Sequence, residues 1–239
     1  MITGMDFVSL PVTDMARARD FYQNKLGLKP GNAIEGMWVE YDLGEGPALA
    51  LINPEAYGMT FAPVKTGGVA IAAHDFEGET QKHKAELVGE PFESPVCHGA
   101  FLEDPDGNRL MLHRRKSEPE RDREMDVVVL PMQDMARARA FYEGTLGLKP
   151  ESINGEGWIE YVLPDGSALA LGDVRALGME FAPVKTGSVG LRTPDVETVF
   201  EKLKQQGLAD METVYETPVC FMGFVHDSEG NALVLHRHK

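Results

Sequence analysis

Two hydrophobic patterns alternate along the chain and predict its secondary structure. Residues 7–12 (FVSLPV) are rich in strand-forming residues that alternate in polarity, which predicts a β-strand. The next apolar residues recur at helical spacing: Ala18, Phe21, Tyr22 and Leu26. Asp14 is placed to cap this helix and Gly27 to end it. The pattern therefore predicts one strand followed by one helix.

Further strands follow, and the same scheme then starts again. Residues 38–43 (WVEYDL) and 48–52 (ALALI) are predicted strands around turn residues, and residues 69–73 (VAIAA) open a second round. A second helix is predicted from Asp75 toward Gly89. The segments HGAFLED and NRLMLHR then form a closing hairpin around a Pro-Asp-Gly-Asn turn. Each of the two segments is predicted to form a βαβββ module.

The whole arrangement occurs twice. Residues 5–30 return at 125–150 with 18 of 26 positions identical, and residues 104–115 return at 227–238. A repeat of this length is a domain and not a solenoid unit. We predict a first domain at 1–116, a charged linker at 117–124 and a second domain at 125–239. The second copy has the clearer second helix, with one apolar face made by Val196, Val199, Phe200 and Leu203 and an end at Gly207. The fold class is α+β, built from four βαβββ modules.

The composition says more about the possible binding partners of the protein than about its fold. The net charge of −15 argues against nucleic acid and anionic membranes, which both favour basic surfaces. The chain has no signal-like start and no apolar stretch that could span a bilayer. Its two cysteines, Cys97 and Cys220, lie at equivalent places in the two copies, which suggests separate thiols. We expect a cytoplasmic protein.

Two motifs carry a family resemblance. The segment LPVTDMARARDFYQNKLGLKP at residues 10–30 and the ending DPDGNRLMLH at residues 104–113, joined by βαβββ modules, resemble the vicinal oxygen chelate superfamily. That superfamily includes glyoxalase I, extradiol dioxygenases, fosfomycin-resistance proteins and bleomycin-binding proteins. The resemblance implies mixed sheets curled into open cups. Each cup would hold a small molecule, often on a divalent metal ion.

The resemblance also implies four metal-ligand positions in each pair of modules. In this chain those positions carry small or apolar side chains: Phe7, Ala50, Gly68 and Met111 in the first copy, Val127, Ala170, Ser188 and Val234 in the second. A divalent ion needs several nitrogen, oxygen or thiolate donors. We therefore predict that the inherited metal site is absent and that no cofactor is required.

Strand alternation predicts which other residues face the cups. The weak catalytic candidates are Glu40, His113, Glu160 and His236. The candidate ligand-binding residues are Trp38, Cys97, Phe101, Arg109, Trp158, Arg192, Cys220 and Phe224. The tryptophans could offer aromatic platforms, a buried Glu40 or Glu160 could act as a base, and an arginine could hold an anion. A relocated zinc site of Glu40, Cys97 and His113 is a further option. A purely structural role is also possible for each kind of residue. The tryptophans could anchor the packing, the glutamates could be solvated carboxylates at the rim, the cysteines could be buried thiols, and the histidines could simply end their strands.

The sequence leaves two questions open. Modules one and two could close a cup within one copy, or module one could pair with module four across the duplication. The second arrangement would mimic a dimer of single-copy relatives, so we expect a monomer or weak homodimer. The favoured function is binding of a small organic molecule in a metal-free cup. The alternative is a metal-dependent lyase, isomerase or dioxygenase that uses relocated ligands.

Overall fold

A computed structural model describes residues 1–117 and 124–239. The strands of the first copy are β1 (Gly4–Pro11), β2 (Pro30–Ile34), β3 (Trp38–Tyr41), β4 (Ala48–Ile52), β5 (Gly68–Ala72), β6 (Phe92–Glu93), β7 (Cys97–Glu103) and β8 (Arg109–Arg115). Those of the second copy are β9 (Met125–Met132), β10 (Ser152–Asn154), β11 (Trp158–Val162), β12 (Ala168–Asp173), β13 (Ser188–Arg192), β14 (Tyr215–Glu216), β15 (Cys220–His226) and β16 (Ala232–His238). The helices are α1 (Met15–Arg19), α2 (Phe76–Lys82), α3 (Met135–Arg139) and α4 (Val196–Gln205). The four predicted βαβββ modules are confirmed.

Helix α1 begins as predicted, since the side chain of Asp14 accepts a hydrogen bond of 3.0 Å from the Arg17 amide. It continues as a π-helical segment, Asp20–Lys25, which turns Phe21 and Tyr22 into the core. Gly27 follows the helix end with a φ of 74°. The helix ends where the sequence predicted, although its second half is not α-helical.

Helix α2 is shorter than predicted, because it ends at Lys82 and does not reach toward Gly89. Its counterpart α4 buries Phe200 and Leu203 against the sheet. Thr80 and His83 occupy the matching places in α2, so α2 lacks the apolar stripe that extends α4. None of the helices in the described ranges is long and apolar enough to cross a membrane.

The strands of the described residues form two curled, mixed sheets of eight strands, and each sheet takes one module from each copy. The strand order is β14-β15-β16-β13-β1-β4-β3-β2 in the first sheet and β10-β11-β12-β9-β5-β8-β7-β6 in the second. The modules meet where β1 pairs antiparallel with β13 and β5 with β9. Of the two arrangements left open above, the one that crosses the duplication is present.

The two sheets are joined within each copy by the DPDGN-type turn. The side chain of Asn108, fully buried, donates to the Pro11 carbonyl at 2.7 Å and accepts from the Val64 amide at 2.9 Å. The hydroxyl of Tyr22 donates to Asp104 at 2.9 Å. Because Pro11 and Tyr22 belong to module one, this turn of module two fixes the second sheet to the first. The second copy repeats the contacts through Asn231, Tyr142 and Asp227.

Both module junctions contain a bulge. The pairing of β1 with β13 shifts register between Met5 and Phe7, and the pairing of β5 with β9 shifts at the equivalent place. The residue at each shift is an aspartate, Asp6 or Asp126. A bulge inserts one extra residue and re-aims a side chain that strict alternation would direct elsewhere. It therefore brings a carboxylate into each cup.

Candidate ligand-binding cups

The curled face of each sheet forms a cup, which we name the first cup (modules one and four) and the second cup (modules two and three). The twelve candidate site residues named from the sequence are divided equally between the two cups. The first cup has Trp38, Glu40, Arg192, Cys220, Phe224 and His236, and the second has Cys97, Phe101, Arg109, His113, Trp158 and Glu160. Glu40 therefore lies in a different sheet from Cys97 and His113. The relocated zinc site proposed from those three residues is wrong.

Three of the four inherited metal positions meet inside the second cup. Val127 and Ala170 belong to one cluster of buried apolar residues, and Met111 packs against it. Ala70, and not Gly68, is the residue of β5 in that cluster. Side chains of this kind offer no donor atoms to an ion. That the protein needs no metal at these positions stays a prediction.

A charged network lines one side of the second cup. Nδ1 of His113 bonds Asp126, and Nε of Arg115 donates to the other oxygen of Asp126 at 2.8 Å. Arg115 also donates to Glu160 at 2.9 Å. Burial would raise the pKa of Asp126, but the hydrogen bonds from His113 and Arg115 outweigh it and hold the pKa below its usual range. The buried carboxylate is thus ionised and paired.

The first cup contains a related network in which the arginine comes from another strand. Nδ1 of His236 bonds Asp6 at 2.6 Å, and Nε of Arg192 donates to Asp6, also at 2.6 Å. Arg192 stands on β13 where the second cup has Ala72, whereas the place of Arg115 is taken by His238. Each buried Asp–His pair therefore keeps one arginine partner. The arginine comes from β8 in the second cup and from β13 in the first.

Sequence reasoning nominated the histidines but missed Asp6 and Asp126, because alternation from Phe7 and Val127 assigns them to the opposite face. The bulges overturn that assignment. A signal was available, since both copies place an aspartate inside an otherwise apolar strand. A charged residue in such a strand indicates a paired carboxylate.

Most of the other nominated residues have partners of their own. Nε1 of Trp38 donates to Glu40 at 2.9 Å, and Arg109 donates to Glu103 at 2.9 Å. Arg109 also lies over the Phe101 ring, 5.6 Å from its centre. Each cysteine thiol lies 3.1 Å from a hydroxyl: Cys97 from Ser94 and Cys220 from Thr217. Phe224 is exposed at the face of the first cup.

The two cups differ in side-chain size at equivalent places, in both directions: the second cup has the larger residue at Arg109 and Met111, where the first has Ala232 and Val234. The first cup carries large residues at four places where the second carries small ones: Phe7, Ile52, Arg192 and Met222 against Val127, Gly172, Ala72 and Gly99. Phe7 fills the space above Gly190, where an added Cβ would lie 2.6 Å from its ring. In the second cup the rings of Trp158 and Phe92 lie over Gly172 and Gly99. The rings of Trp158 and Phe92 thus cover glycines of the second cup, as Phe7 covers Gly190 in the first.

A cleft of about 320 Å³ lies outside the cups, on the helix side. It is lined by Phe21, Leu87 and Pro105, among others, and the ion pair of Lys25 with Glu86 borders it. None of the nominated residues lines this cleft. The cups therefore remain the candidate sites.

Replacement of Asp126 by asparagine is expected to destabilise the protein by about 3 kcal/mol near neutral pH, because it leaves the charge of Arg115 and the His113 ring poorly paired. The folded-state pKa of Asp126 is depressed below 3.8, so its stabilising effect is present above that pH and is lost as the pH falls through the folded value. Urea unfolding of wild type and Asp126→Asn should therefore differ near neutral pH and converge in acid. Asp210→Asn, at an exposed aspartate, should change stability by less than about 0.5 kcal/mol. Equal stability of Asp126→Asn and wild type near neutrality would contradict this account.

The sequence profile of the Glyoxalase/Bleomycin resistance protein/Dioxygenase superfamily matches residues 4–112 and 124–235. The chain belongs to this superfamily. The two matches correspond to the two copies and cover almost the whole chain, so the resemblance noted from the motifs is confirmed. No curated protein sequence matches the chain significantly.

Two solved structures have a similar fold over nearly the whole chain. Glyoxalase I from Zea mays is 22% identical, with a TM-score of 0.68 over 98% of this chain and 92% of its own. A Bacillus subtilis protein described as a suspected dioxygenase is 13% identical, with a TM-score of 0.66 over 98% of this chain and 85% of its own. At these identities the likeness shows the fold, and the chemistry has to be argued from the cups.

Proposed function

We propose that this superfamily member binds a small, flat, mostly apolar organic molecule in its second cup, without a metal ion at the superfamily's ligand positions. The observation that carries the proposal is the set of small residues Ala72, Gly99 and Gly172 in that cup, beside the rings of Trp158 and Phe92. Binding sites for small organic molecules are mostly apolar, with a few placed polar groups. The second cup has this composition.

The floor supports an apolar ligand. Val127, Ala170 and Ala70 form it, with Met111 and Trp158 packed against them. A planar molecule that enters between Trp158 and this floor would exchange the contact of the ring with Gly172 for an aromatic stack. The glycine leaves no side chain to oppose that exchange.

The charged network along one side of the second cup, which we call the polar wall, would orient the ligand. Hydrogen bonds join Arg115 to both Asp126 and Glu160, two carboxylates to one guanidinium, so this wall disfavours an anionic ligand. Nδ1 of His113 is engaged by Asp126, which leaves Nε2 as the ring nitrogen without a bond to the described residues. A hydroxyl or carbonyl group on the ligand could bond there.

The alternative is a metal-dependent lyase, isomerase or dioxygenase that uses relocated ligands. The observation that favours it is a group of possible ligands in the first cup, formed by Asp6, His236 and His238. Catalysis there would require room for a substrate, and the ring of Phe7 already covers Gly190 in that cup. Ligand binding in the second cup is therefore the function that we favour, in a protein that is a monomer or weak dimer.

The two tryptophans give each cup its own reporter, because Trp38 belongs to the first cup and Trp158 to the second. We expect 2-naphthol, an uncharged planar probe, to shift the ¹⁹F resonance of 5-fluorotryptophan at Trp158 and to leave that of Trp38 in place. The variants Trp38→Phe and Trp158→Phe assign the two resonances. A shift confined to Trp38, or no shift at millimolar probe, would contradict the proposal.

A further inference from the structure

The rim of the first cup brings together a carboxylate and two imidazoles. Asp6, His236 and His238 each offer one possible ligand atom, and these atoms lie within 4.8 Å of one another. Asp6 and His236 are almost buried, while His238 is exposed and gives access from solvent. We propose that these three residues bind a divalent transition metal ion of the zinc class.

The donor set decides the class of ion. Two imidazole nitrogens with one carboxylate suit zinc, cobalt or nickel, whereas magnesium and calcium prefer sets made of oxygen alone. Three protein donors satisfy most of a tetrahedral shell and leave one position for water or another small ligand. The site lies apart from the inherited ligand positions, since Phe7 and Val234 stand at two of those in this cup.

The surroundings hold the donors in place. Nε of Arg192 donates to one oxygen of Asp6, which orients the carboxylate and leaves the other oxygen toward His236. The ring of His236 packs edge-on against Phe7, with centres 5.6 Å apart, and against His238, with centres 4.6 Å apart. An ion bound to the carboxylate and Nδ1 of His236 would take the place of the proton that these two groups share.

The second cup supplies a natural comparison. There Asp126 and His113 form the same pair, but Arg115 stands where the first cup has His238, and its guanidinium bonds Asp126. A permanently charged side chain already occupies the place of the ion. The Asp–His pair is therefore present in both cups, and only the first cup has a third donor.

The test is zinc binding to the full chain, without an affinity tag and after chelator treatment. Equilibrium dialysis should give one zinc ion per wild-type chain, and cobalt should give visible absorption bands typical of nitrogen and oxygen ligands. His238→Arg, which copies the second cup, and His238→Ala should each weaken zinc binding by at least about 100-fold. Because His238 is exposed, both variants should keep the wild-type melting temperature in chelator.

Two controls address nonspecific binding to histidine. His226→Ala removes a histidine of the same sheet that pairs with Asp210, and His113→Ala removes the counterpart of His236 in the second cup. Both should bind zinc as the wild type does. Absence of zinc binding at about 0.1 mM free ion, or equal binding by His238→Arg, would overturn the proposal. Binding of 2-naphthol to His238→Arg tests the second cup independently, so the failure of one proposal can be told from that of the other.

Discussion

Residues 1–116 and 125–239, produced as separate chains, are expected not to yield folded monomers, and to form one stable particle when they are refolded together. Each copy contributes only half of each sheet. Alone, the first copy would expose the edge of β1 that pairs with β13 and the edge of β5 that pairs with β9. Unpaired edges of this length drive association with another chain.

An isolated first copy is expected to form a homodimer. In that dimer, β1 of one chain would pair with β5 of the other, in the place that β9 takes in the full chain. Light scattering coupled to gel filtration measures the mass of each preparation, and near-ultraviolet circular dichroism reports fixed aromatic packing. The control is the full chain cut at a protease site introduced in the predicted linker (117–124), most of which lies outside the described residues; it should remain one particle of unchanged mass. A monomeric isolated copy with native-like aromatic packing would show that the cups do not depend on pairing across the duplication.

The repeated modules and their elements could be predicted from sequence because their signals are local. Asp14 and Gly27 mark the ends of the first helix, and the apolar run at residues 48–52, next to turn residues, predicts a strand that the structure reproduces. The DPDGN motif also marked its turn correctly. Its second role, in which Asn108 joins the two sheets, depends on contacts with residues far away in the sequence.

The pairing of modules could not be predicted, because the copies are so similar that either partner satisfies the same strand pattern. The choice depends on contacts between residues far apart in the chain, such as Phe7 beside Gly190. The shared zinc site of Glu40, Cys97 and His113 failed for this reason. It assumed that one copy closes one cup.

The chemistry of the cups was predicted only in part. Alternation puts His113 on the same strand face as Met111 and His236 on the same face as Val234, because β8 and β16 pair in regular register. It missed Asp6 and Asp126, since one inserted residue changes the face on which a side chain lies. The sequence also did not reveal that Arg115 and Arg192 bond the equivalent aspartates, because the two arginines lie on different strands of different modules.

The central claim is that the second cup, and not the first, binds the organic ligand because its lining is small. A double variant, Ala70→Gly with Val127→Phe, transfers the pair of Phe7 and Gly190 from the first cup to the second. The glycine removes the methyl group that a phenylalanine at position 127 would meet, so the change copies a packing that the chain already contains. Overpacking by Val127→Phe alone could cost about 1–3 kcal/mol, which is why the pair is exchanged together.

The matched control is Phe7→Val, which gives the first cup the residue of the second and leaves the second cup unchanged. Melting temperatures of both variants establish that they fold. The most direct measurement is the dissociation constant of 2-naphthol by isothermal titration calorimetry for wild type and both variants. The account predicts at least about tenfold weaker binding, or about 1.4 kcal/mol, for the double variant and a value within about twofold of wild type for Phe7→Val. Unchanged binding by the folded double variant would contradict it.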